Sequence, residues 1–313
     1  MTQPLHDDPL WPRASDWLAG GGASDTGALD LAVLGVPAHR TSLSPTSAHE
    51  APAAIRAALA RYSAFAESRQ VDLADLAVAD LGDLADPDGD EDATSAAALD
   101  AATRARTVVF LGGDNSITFA AARGVLGADL ARAGLVTVDA HHDLRDGVSN
   151  GSPVQRLIEH GLDPTRIVQV GIADFANSKA YSDRARIHGI RVISRGDVER
   201  RGITECVRDG IEAAGRMGGP VYVDLDLDVC DRSVAPGCPA SAPGGLSAQE
   251  ARDAAYAAGL HPQVRALDLV EVDALADTAD QRTVRLAALC LLEFAAGLGR
   301  RLQLIARQPL QQR

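Results

Sequence analysis

The stretch that decides the fold is "TVVFLGGDNSIT", residues 107–118. Its first part, 107–111, is an almost uninterrupted apolar run, which is typical of a strand covered on both faces. Gly112 and Gly113 permit a tight backbone approach at the end of this run. The stretch has neither the lysine nor the spacing of a phosphate-binding P-loop. It therefore predicts a buried parallel strand whose carboxyl end presents Asn115.

Similar short apolar runs recur along the chain and alternate with Ala-rich stretches of helical length. The predicted strands are 29–36, 107–111, 135–138, 166–170, 190–193, 220–227 and 265–270. The predicted helices are 51–61, 154–160, 203–216, 248–258 and 283–298. This alternation predicts an α/β fold in which a parallel sheet carries helices on both sides. In such a sheet, functional residues gather at the carboxyl ends of the strands.

The chain has 313 residues, which is long enough for a full hydrophobic core. We expect a single catalytic domain over 29–300, a peripheral N-terminal segment over 1–28 and a C-terminal tail over 301–313. The segment 71–92 carries nine acidic residues. Its second half is therefore predicted to be a solvated loop.

Charge and composition exclude several classes of protein. Lys and Arg total 30 against 43 Asp and Glu, a formal charge of -13, and the basic residues are scattered. Nucleic acid and anionic membranes are therefore poor candidate partners. The sequence has no apolar stretch of about 18 residues and no secretory signal at its N-terminus, so we expect a cytoplasmic protein. Its four cysteines form no C-x-x-C pair, which argues for reduced core thiols and against a zinc knuckle.

The first candidate cluster is "DAHHDLRD", which follows the strand predicted at 135–138. Asp139, His141 and Asp143 are spaced i, i+2, i+4, so they point to one side while the chain stays extended. Taken alone, each has an ordinary explanation, such as a hydrogen-bonded histidine or a helix cap. Three potential ligands at one strand end nevertheless indicate a binding site.

The second cluster is "VDLDLDVCD", where Asp224, Asp226 and Asp228 share the same period in an apolar strand. Carboxylates this close repel one another by about 4 kcal/mol per pair at ~4 Å and an effective dielectric of about 20. Together the clusters form a hard, mixed oxygen and nitrogen donor set, suited to Mn(II), Fe(II), Co(II) or Zn(II). Two divalent ions would balance four carboxylates and could activate water. A minor alternative interprets "DLDLDV" as an aspartyl-phosphate motif, which leaves "DAHHD" without a role.

In order along the chain, five motifs resemble the ureohydrolase family, which includes arginase, agmatinase and formimidoylglutamase. They are "LGGDNSIT" at 111, "DAHHD" at 139, "NGSPVQRLIEHG" at 150, "DLDLDVCDRSVAPGCPASAPGG" at 224 and "LVEVD" at 269. The resemblance implies a three-layer α/β/α domain around a mainly parallel eight-stranded sheet, with two Mn2+ ions at the strand ends. It also implies a homo-oligomer.

Carried over by position, Asp139 and Asp226 would bridge the two metals. Asp143 would bind one metal, and His141 and Asp228 would bind the other. The implied catalytic residues are Asp228, as proton acceptor or relay, and Glu271, which would pair with the amidinium or guanidinium of the substrate.

Within the family, "APGCPASAPGG" at 235 and "FANS" at 175 look most like formimidoylglutamase. The implied reaction is hydrolysis of N-formimidoyl-L-glutamate to L-glutamate and formamide, a step of histidine degradation, by metal-activated hydroxide. The substrate brings two carboxylates. Arg145 is the first candidate to bind them, because arginine captures a carboxylate with two N–H groups. Further candidates are Asn150, Asn177 and Arg156. For Arg156, a solvated position on a helix is an equally good explanation.

Two departures from the family pattern leave alternatives open. Many relatives have a metal-binding histidine where this chain has Asn115. Its amide oxygen is either a weaker ligand, which leaves that metal position weak or empty, or no ligand at all, with a helix cap or a hydrogen bond to a ligating carboxylate instead. Asn150 also replaces a histidine of several relatives. The other functions in view are a guanidino hydrolase that releases urea, and a metal-poor, non-catalytic paralogue that acts as a binding or regulatory subunit.

Overall fold

A computed structural model describes residues 8–20 and 28–307 of the chain. Its centre is one eight-stranded sheet. The strands are β1 (Leu29–Val36), β2 (Val78–Asp83), β3 (Ala105–Gly112), β4 (Gly134–Val138), β5 (Ile167–Ile172), β6 (Arg191–Ser194), β7 (Val221–Asp226) and β8 (Val264–Val270). Their spatial order is β2-β1-β3-β8-β7-β4-β5-β6, and every neighbouring pair is parallel. The predicted parallel α/β sheet is therefore confirmed.

Helices cover both faces of this sheet. They are α1 (Ala14–Ala19), α2 (Ala51–Leu59), α3 (Glu91–Arg104), α4 (Ile117–Leu126), α5 (Pro153–Glu159), α6 (Lys179–His188), α7 (Arg195–Arg201), α8 (Ile203–Ala214), α9 (Ala248–Leu260) and α10 (Arg282–Arg307). Helices α3 to α6 share one buried core with the sheet, and α1, α2 and α7 to α10 share the other. The result is the three-layer α/β/α architecture that the family resemblance implies.

The apolar runs are buried on both sides, as their lack of alternation predicts. Along β3, Val108 and Phe110 belong to one core, whereas Val109 and Leu111 belong to the other. All four side chains are fully buried. Each side chain removes apolar area from water on its own face of the sheet. Burying one large aliphatic or aromatic side chain stabilises the fold by about 1.5–3 kcal/mol. The four cysteines are also buried and unpaired.

One strand of the eight-stranded sheet, β2, was not predicted from the sequence because it lies inside the acidic segment. It is an edge strand whose Asp80 and Asp83 pair with Arg56 on α2, at 2.7 and 2.5 Å. Charged residues are common on edge strands because they discourage pairing with other chains. The predicted loop is present, but it is shorter than expected because α3 already begins at Glu91.

Parts of the predicted terminal segments pack against the rest of the described structure, and the predicted boundaries themselves stay a prediction. In α1, Ala14 and Leu18 pack into the main core. At the other end, α10 continues to Arg307, and Arg301 is buried and donates to the His261 carbonyl oxygen at 2.7 Å. The rest of the predicted terminal segments, 1–7, 21–27 and 308–313, lies outside the described residues. Within the described ranges, every helix is too short or too polar to cross a membrane.

The topology brings four strand ends to the centre of one edge. The middle strands, in the order β3-β8-β7-β4, are parallel neighbours. Their carboxyl ends therefore lie side by side, in the position where open α/β sheets bind ligands. Each of these four ends leads directly into one of the predicted site segments.

Candidate metal centre

A cavity of about 250 Å³ opens at the four central strand ends. Predicted site residues form much of its lining: His141, Asp143, Arg145, Asn150, Asn177, Asp226, Asp228 and Glu271. Asp139 and Asn115 lie beneath this lining, each about 1% exposed. The structure therefore gathers residues that are up to 156 positions apart in the chain.

The segment after β4 reaches the cavity by a turn, which differs from the predicted extended geometry. The strand ends at Val138, and Asp143 adopts a left-handed backbone with φ 52°. The Asp139 carboxylate accepts a hydrogen bond from the His141 backbone N–H at 2.7 Å, which folds the segment back. Ligand-type side chains thus converge because the chain turns.

Asn177 holds this turn in place. Its side-chain oxygen accepts from the His142 backbone N–H at 2.9 Å, and its nitrogen donates to the Ala140 carbonyl at 2.8 Å. The His142 ring is itself anchored to Gln169, with 2.7 Å between Nδ1 and Oε1. Both polar atoms of Asn177 are therefore engaged by the loop that carries the first cluster. Its predicted contact with substrate stays a prediction.

The second cluster is divided between a strand and a turn. β7 ends at Asp226, and a 3-10 turn over Leu227–Val229 brings Asp228 to the same side. The Asp226 side chain accepts from the Asp228 backbone N–H at 2.8 Å, which closes this turn. Asp224 does not join them. It lies deeper in the sheet, paired in register with Asp268 of β8.

Asp139, His141 and Asp228 form a group that could hold a metal ion. One potential ligand atom from each lies within 4.8 Å of the other two. His141 Nδ1 is 3.1 Å from Asp228 Oδ2 and 3.4 Å from Asp139 Oδ1. The other oxygens, Asp139 Oδ2 and Asp228 Oδ1, are buried and have no hydrogen-bond partner among the described residues. Buried carboxylate oxygens without donors need a proton or a cation. With an imidazole nitrogen beside them at the cavity, the donor set fits a divalent metal.

The electrostatics of the cluster show the same need for positive charge. Burial, together with the neighbouring Asp228, raises the pKa of Asp139 to about 6. Burial likewise raises the pKa values of Asp143 and Asp226 well above the usual range, with Asp139 and Asp228 adding to the effect. Burial lowers the pKa of His141. The neighbouring Asp228 and Asp139 carboxylates have the larger combined effect and raise this pKa to about 12. Protons and a charged imidazole therefore compensate the carboxylates when no metal does so.

Asn115 contacts a predicted ligand through its side-chain nitrogen. Nδ2 donates to Asp143 at 2.6 Å, and Oδ1 accepts from the Thr118 hydroxyl at 2.6 Å. This arrangement corresponds to the second of the two open alternatives, a hydrogen bond to a ligating carboxylate. A direct bond from Asn115 to a metal stays a prediction.

Glu271 enters the cavity from the end of β8 with a left-handed backbone, φ 66°. Its N–H donates to the Gly113 carbonyl at 2.9 Å. On its other side, Gly113 must be glycine for the Ala38 backbone to pass this close, because a Cβ there would lie 1.8 Å from the Ala38 carbonyl oxygen. Strained backbone of this kind is common at functional sites. The predicted tight approach at the glycine pair is confirmed.

The Glu271 carboxylate is buried and held on one side. Its Oε1 accepts from the Asn115 backbone N–H at 2.7 Å and from Asn150 Nδ2 at 2.9 Å. Burial is the main cause that raises its pKa to about 8, with Asp114 and Asp228 adding to it. A cationic group bound in the cavity would lower that pKa and would pair with the carboxylate.

Arg145 lies at the mouth of the cavity. It is exposed, and its guanidinium is 5.7 Å from the centre of the Tyr181 ring. It is the one arginine lining this cavity, and no carboxylate within the described ranges forms an ion pair with it. Arg156, by contrast, lies outside the cavity and is bound to Glu91 at 2.7 and 2.6 Å. Arg156 is therefore not available to a ligand in this cavity.

Sequence reasoning missed a polar group behind the site. The Thr118 hydroxyl lies 2.7 Å from Asp268 Oδ2, and the Tyr222 hydroxyl donates to the same oxygen at 2.8 Å. This group is connected to the site because Thr118 also contacts Asn115. The available signal was Asp268 itself, a carboxylate in the otherwise apolar run at 265–270.

Comparison with known proteins agrees with this geometry. Residues 29–297 match the Arginase family. The formimidoylglutamase of Halalkalibacterium halodurans is 34% identical over 276 residues, which cover 85% of this chain and 86% of that protein. The crystal structure of formimidoylglutamase from Bacillus subtilis superposes with a TM-score of 0.85 at 28% identity and covers 96% of this chain and 95% of that one. Trypanosoma cruzi formiminoglutamase with Mn2+ has the same fold, with a TM-score of 0.84 at 24% identity over 92% and 99% of the two chains. The chain belongs to the arginase family.

Proposed function

We propose that this protein is a manganese-dependent formimidoylglutamase, which hydrolyses N-formimidoyl-L-glutamate to L-glutamate and formamide. The observation that carries the proposal is the content of one cavity. A buried carboxylate, Glu271, can hold an amidinium, and Arg145 at the mouth is available to a substrate carboxylate. The formimidoylglutamases of Halalkalibacterium halodurans and Bacillus subtilis match most of both chains, which supports the same substrate.

The proposed ligands of two Mn2+ ions are Asp139, His141, Asp143, Asp226 and Asp228. The oxygens of Asp139 and Asp228 that have no donor support this assignment. When bound, the metal lowers the pKa of water, so that hydroxide is supplied near neutral pH. His141 must then be neutral, because only its free ring nitrogen can bind a metal.

The side chains of the protein provide the rest of the chemistry. Glu271 binds the terminal N–H group of the amidinium and fixes the formimidoyl carbon beside the centre. A water oxygen adds to that carbon, and the Asp228 carboxylate accepts the proton that the water loses. The bond from this carbon to the glutamate nitrogen then breaks, and Asp228 returns the proton to the leaving amine. Formamide and glutamate are the two products.

Arg145 is proposed to recognise the glutamate part of the substrate. A carboxylate that enters a chain with a formal charge of -13 needs a local cation. A guanidinium can bind it with two parallel N–H donors. We therefore expect Arg145→Ala to raise KM about 10- to 100-fold with little change in kcat, since charge-assisted hydrogen bonds contribute about 1.5–3 kcal/mol.

The matched control for this variant is Arg186→Ala. Arg186 is an exposed arginine of α6 whose nearest acid is Asp183, at 3.5 Å, and it does not line the cavity. Its removal changes the net charge equally and leaves KM unchanged if recognition is local. Equal KM values for the Arg145 variant and the wild-type protein would contradict the role of Arg145.

A substrate panel with metal counting tests the whole proposal. Mn-loaded protein is incubated with formimidoylglutamate, agmatine, arginine and guanidinobutyrate, and bound metal is measured. Formamide and glutamate from the first compound are expected. Urea from a guanidino compound without turnover of formimidoylglutamate would instead establish a guanidino hydrolase. Less than one metal per chain with no hydrolysis would support the non-catalytic paralogue.

We also propose that the enzyme acts in the cytoplasm as a homo-oligomer. The family resemblance supports the oligomer. Light scattering on the purified protein tests it directly, and a mass of one chain would contradict it.

A further inference from the structure

One oxygen of the Glu271 carboxylate is already occupied by the protein. Oε1 accepts from the Asn115 backbone N–H at 2.7 Å and from Asn150 Nδ2 at 2.9 Å. Two donors satisfy the two lone-pair directions of a carboxylate oxygen. A substrate therefore meets only the other oxygen, Oε2, as a free acceptor.

The orientation of the Asn150 amide is fixed by its other end. Its Oδ1 accepts from the Leu43 backbone N–H at 3.0 Å, and its own backbone N–H donates to the Thr41 carbonyl at 3.4 Å. Since a backbone N–H can only donate, the side-chain oxygen must face Leu43. The nitrogen must then face Glu271, so Asn150 is a donor to this carboxylate in every bound state that keeps the loop in place.

We propose that Asn150 determines specificity: by occupying Oε1, it restricts Glu271 to substrates with one terminal nitrogen and disfavours guanidino compounds, which have two. The inference rests on the proposed function and deepens it by naming the feature that selects the amidine class. Asn150 thereby acts on substrate choice through Glu271.

The chemical difference between the two substrate classes is small and local. A protonated formimidoyl group has one terminal NH2 and a C–H bond where a guanidinium has a second NH2. That C–H edge needs no acceptor, whereas a buried second NH2 does. The neighbouring carboxylates of the cavity are the proposed metal ligands, so they are not free to accept. An unpaired buried donor is a known means of rejecting a competitor, and we expect discrimination of about 10- to 100-fold.

Two variants separate this role from simple support of the loop at 41–44. Asn150→Ala removes both the donor to Glu271 and the acceptor for the Leu43 N–H. Asn150→Asp keeps an oxygen for Leu43 but replaces the nitrogen that faces Glu271 with another acceptor. Loss of the donor is common to both variants, whereas loss of the loop contact occurs only in Asn150→Ala.

The test compares N-formimidoyl-L-glutamate with N-carbamimidoyl-L-glutamate, its guanidino counterpart with the same two carboxylates. For a compound that Mn-loaded protein hydrolyses, kcat/KM measures the preference. For a compound that is not hydrolysed, calorimetry on the same protein gives the dissociation constant. Wild-type protein is expected to prefer the formimidoyl compound about 10- to 100-fold. Both variants are expected to reduce this preference to within about threefold.

The outcomes distinguish the two claims. Equal affinities of the wild-type protein for the two compounds, or an unchanged preference in both variants, would overturn the role of Asn150 even if formimidoylglutamate is hydrolysed. A change in Asn150→Ala without a change in Asn150→Asp would also overturn it, since only the loop contact would then matter. If neither compound is hydrolysed, the proposed function fails, and the affinity ratio still decides the role of Asn150.

Discussion

Two groups of buried aspartates lie close together along the chain, two residues apart on β7. They differ in how the protein compensates their negative charge. The deep pair is Asp224 and Asp268, which face each other across β7 and β8. The strand-end cluster includes Asp226 and Asp228, which follow Asp224 along the chain. All four are at most 4% exposed. Position along the strand, rather than residue type or burial, separates them.

The deep pair has hydroxyl groups at one oxygen, Asp268 Oδ2. Its other three oxygens are buried without a partner among the described residues, so the pair depends on a proton that its two carboxyl groups can share. Asp268 accepts from the Tyr222 hydroxyl and lies beside the Thr118 hydroxyl. Burial raises the pKa of Asp268 to about 6 and that of Asp224 well above its usual range, with Asp268 adding to the latter shift. A protonated Asp224 can therefore donate to Asp268. The strand-end cluster lacks such hydroxyl donors at its free oxygens, so it needs a cation from outside.

The largest expected effect comes from Asp226→Asn, which removes a ligand charge but keeps the acceptor for the Asp228 N–H. Hydrolysis and metal retention should fall more than about 100-fold, since even residues behind the ligands contribute about 10- to 100-fold. The metal-free protein should gain stability, because one repelling carboxylate is gone. Its Tm should rise by about 2–4 °C for each kcal/mol relieved. Metal analysis and thermal unfolding measure both effects.

The matched control is Asp224→Asn, two residues earlier on β7 and equally buried. An asparagine there can still donate to Asp268, so activity should stay within about threefold of wild type. If Asp224→Asn lost metal as Asp226→Asn does, the separation between the two groups would be wrong.

A second prediction concerns Asn115, which lies between the two groups. Asn115→His places an imidazole, a stronger manganese ligand than an amide, next to Asp143. Metal retained after dialysis should increase about tenfold. Unchanged retention would mean that this position does not contact the metal, and Asn115 would then serve only Asp143 and Thr118.

A third prediction follows from the raised pKa values of the strand-end cluster. The folded state holds protons on Asp139 up to about pH 6 and on Glu271 up to about pH 8. The unfolded chain releases these protons near pH 4. The folded state thus binds more protons in this window, so the metal-free protein should lose stability as pH rises from about 4 to about 8.

Thermal unfolding in EDTA and in Mn2+ measures this effect on one preparation. The Tm in EDTA should fall across the window by a few degrees. Mn2+ binds the deprotonated ligands, so the stabilisation by metal should increase with pH. A metal-free Tm that rises with pH would contradict the pKa directions.

The smallest expected effect is that of Tyr222→Phe, which removes one hydroxyl from the deep pair. The Thr118 hydroxyl stays 2.7 Å from Asp268 Oδ2, so the loss should be about 1 kcal/mol of unfolding free energy. Activity should be unchanged, because Tyr222 contacts neither the cavity nor Asn115. A large loss of activity would show that the deep pair participates in the chemistry.

Much of the fold could be predicted from the sequence, because buried parallel strands leave apolar runs. The β1 strand was predicted with its observed bounds, Leu29–Val36. The β2 strand was missed because an edge strand with Asp80 and Asp83 has the composition of a loop. For such strands the pairing partner, rather than local sequence, decides the conformation.

The site residues were chosen by motif, but their contacts were not predictable. Sequence spacing did not reveal that Asp143 lies in a left-handed turn, or that Asp224 lies deeper in the sheet, in register with Asp268. The contact between Asn150 and Glu271 joins residues 121 positions apart. Only tertiary structure could show that one oxygen of that carboxylate is already occupied.

The position of β8 has a consequence for how the protein is made. It is the last strand of the sheet to be synthesised, yet it lies between β3 and β7. Until it inserts, no strand of the group β2-β1-β3 pairs with a strand of the group β7-β4-β5-β6. Glu271 follows β8, while most of the proposed ligands follow β4 and β7. The catalytic site is therefore completed only when the middle of the sheet closes, and metal-supported activity reports that folding has finished.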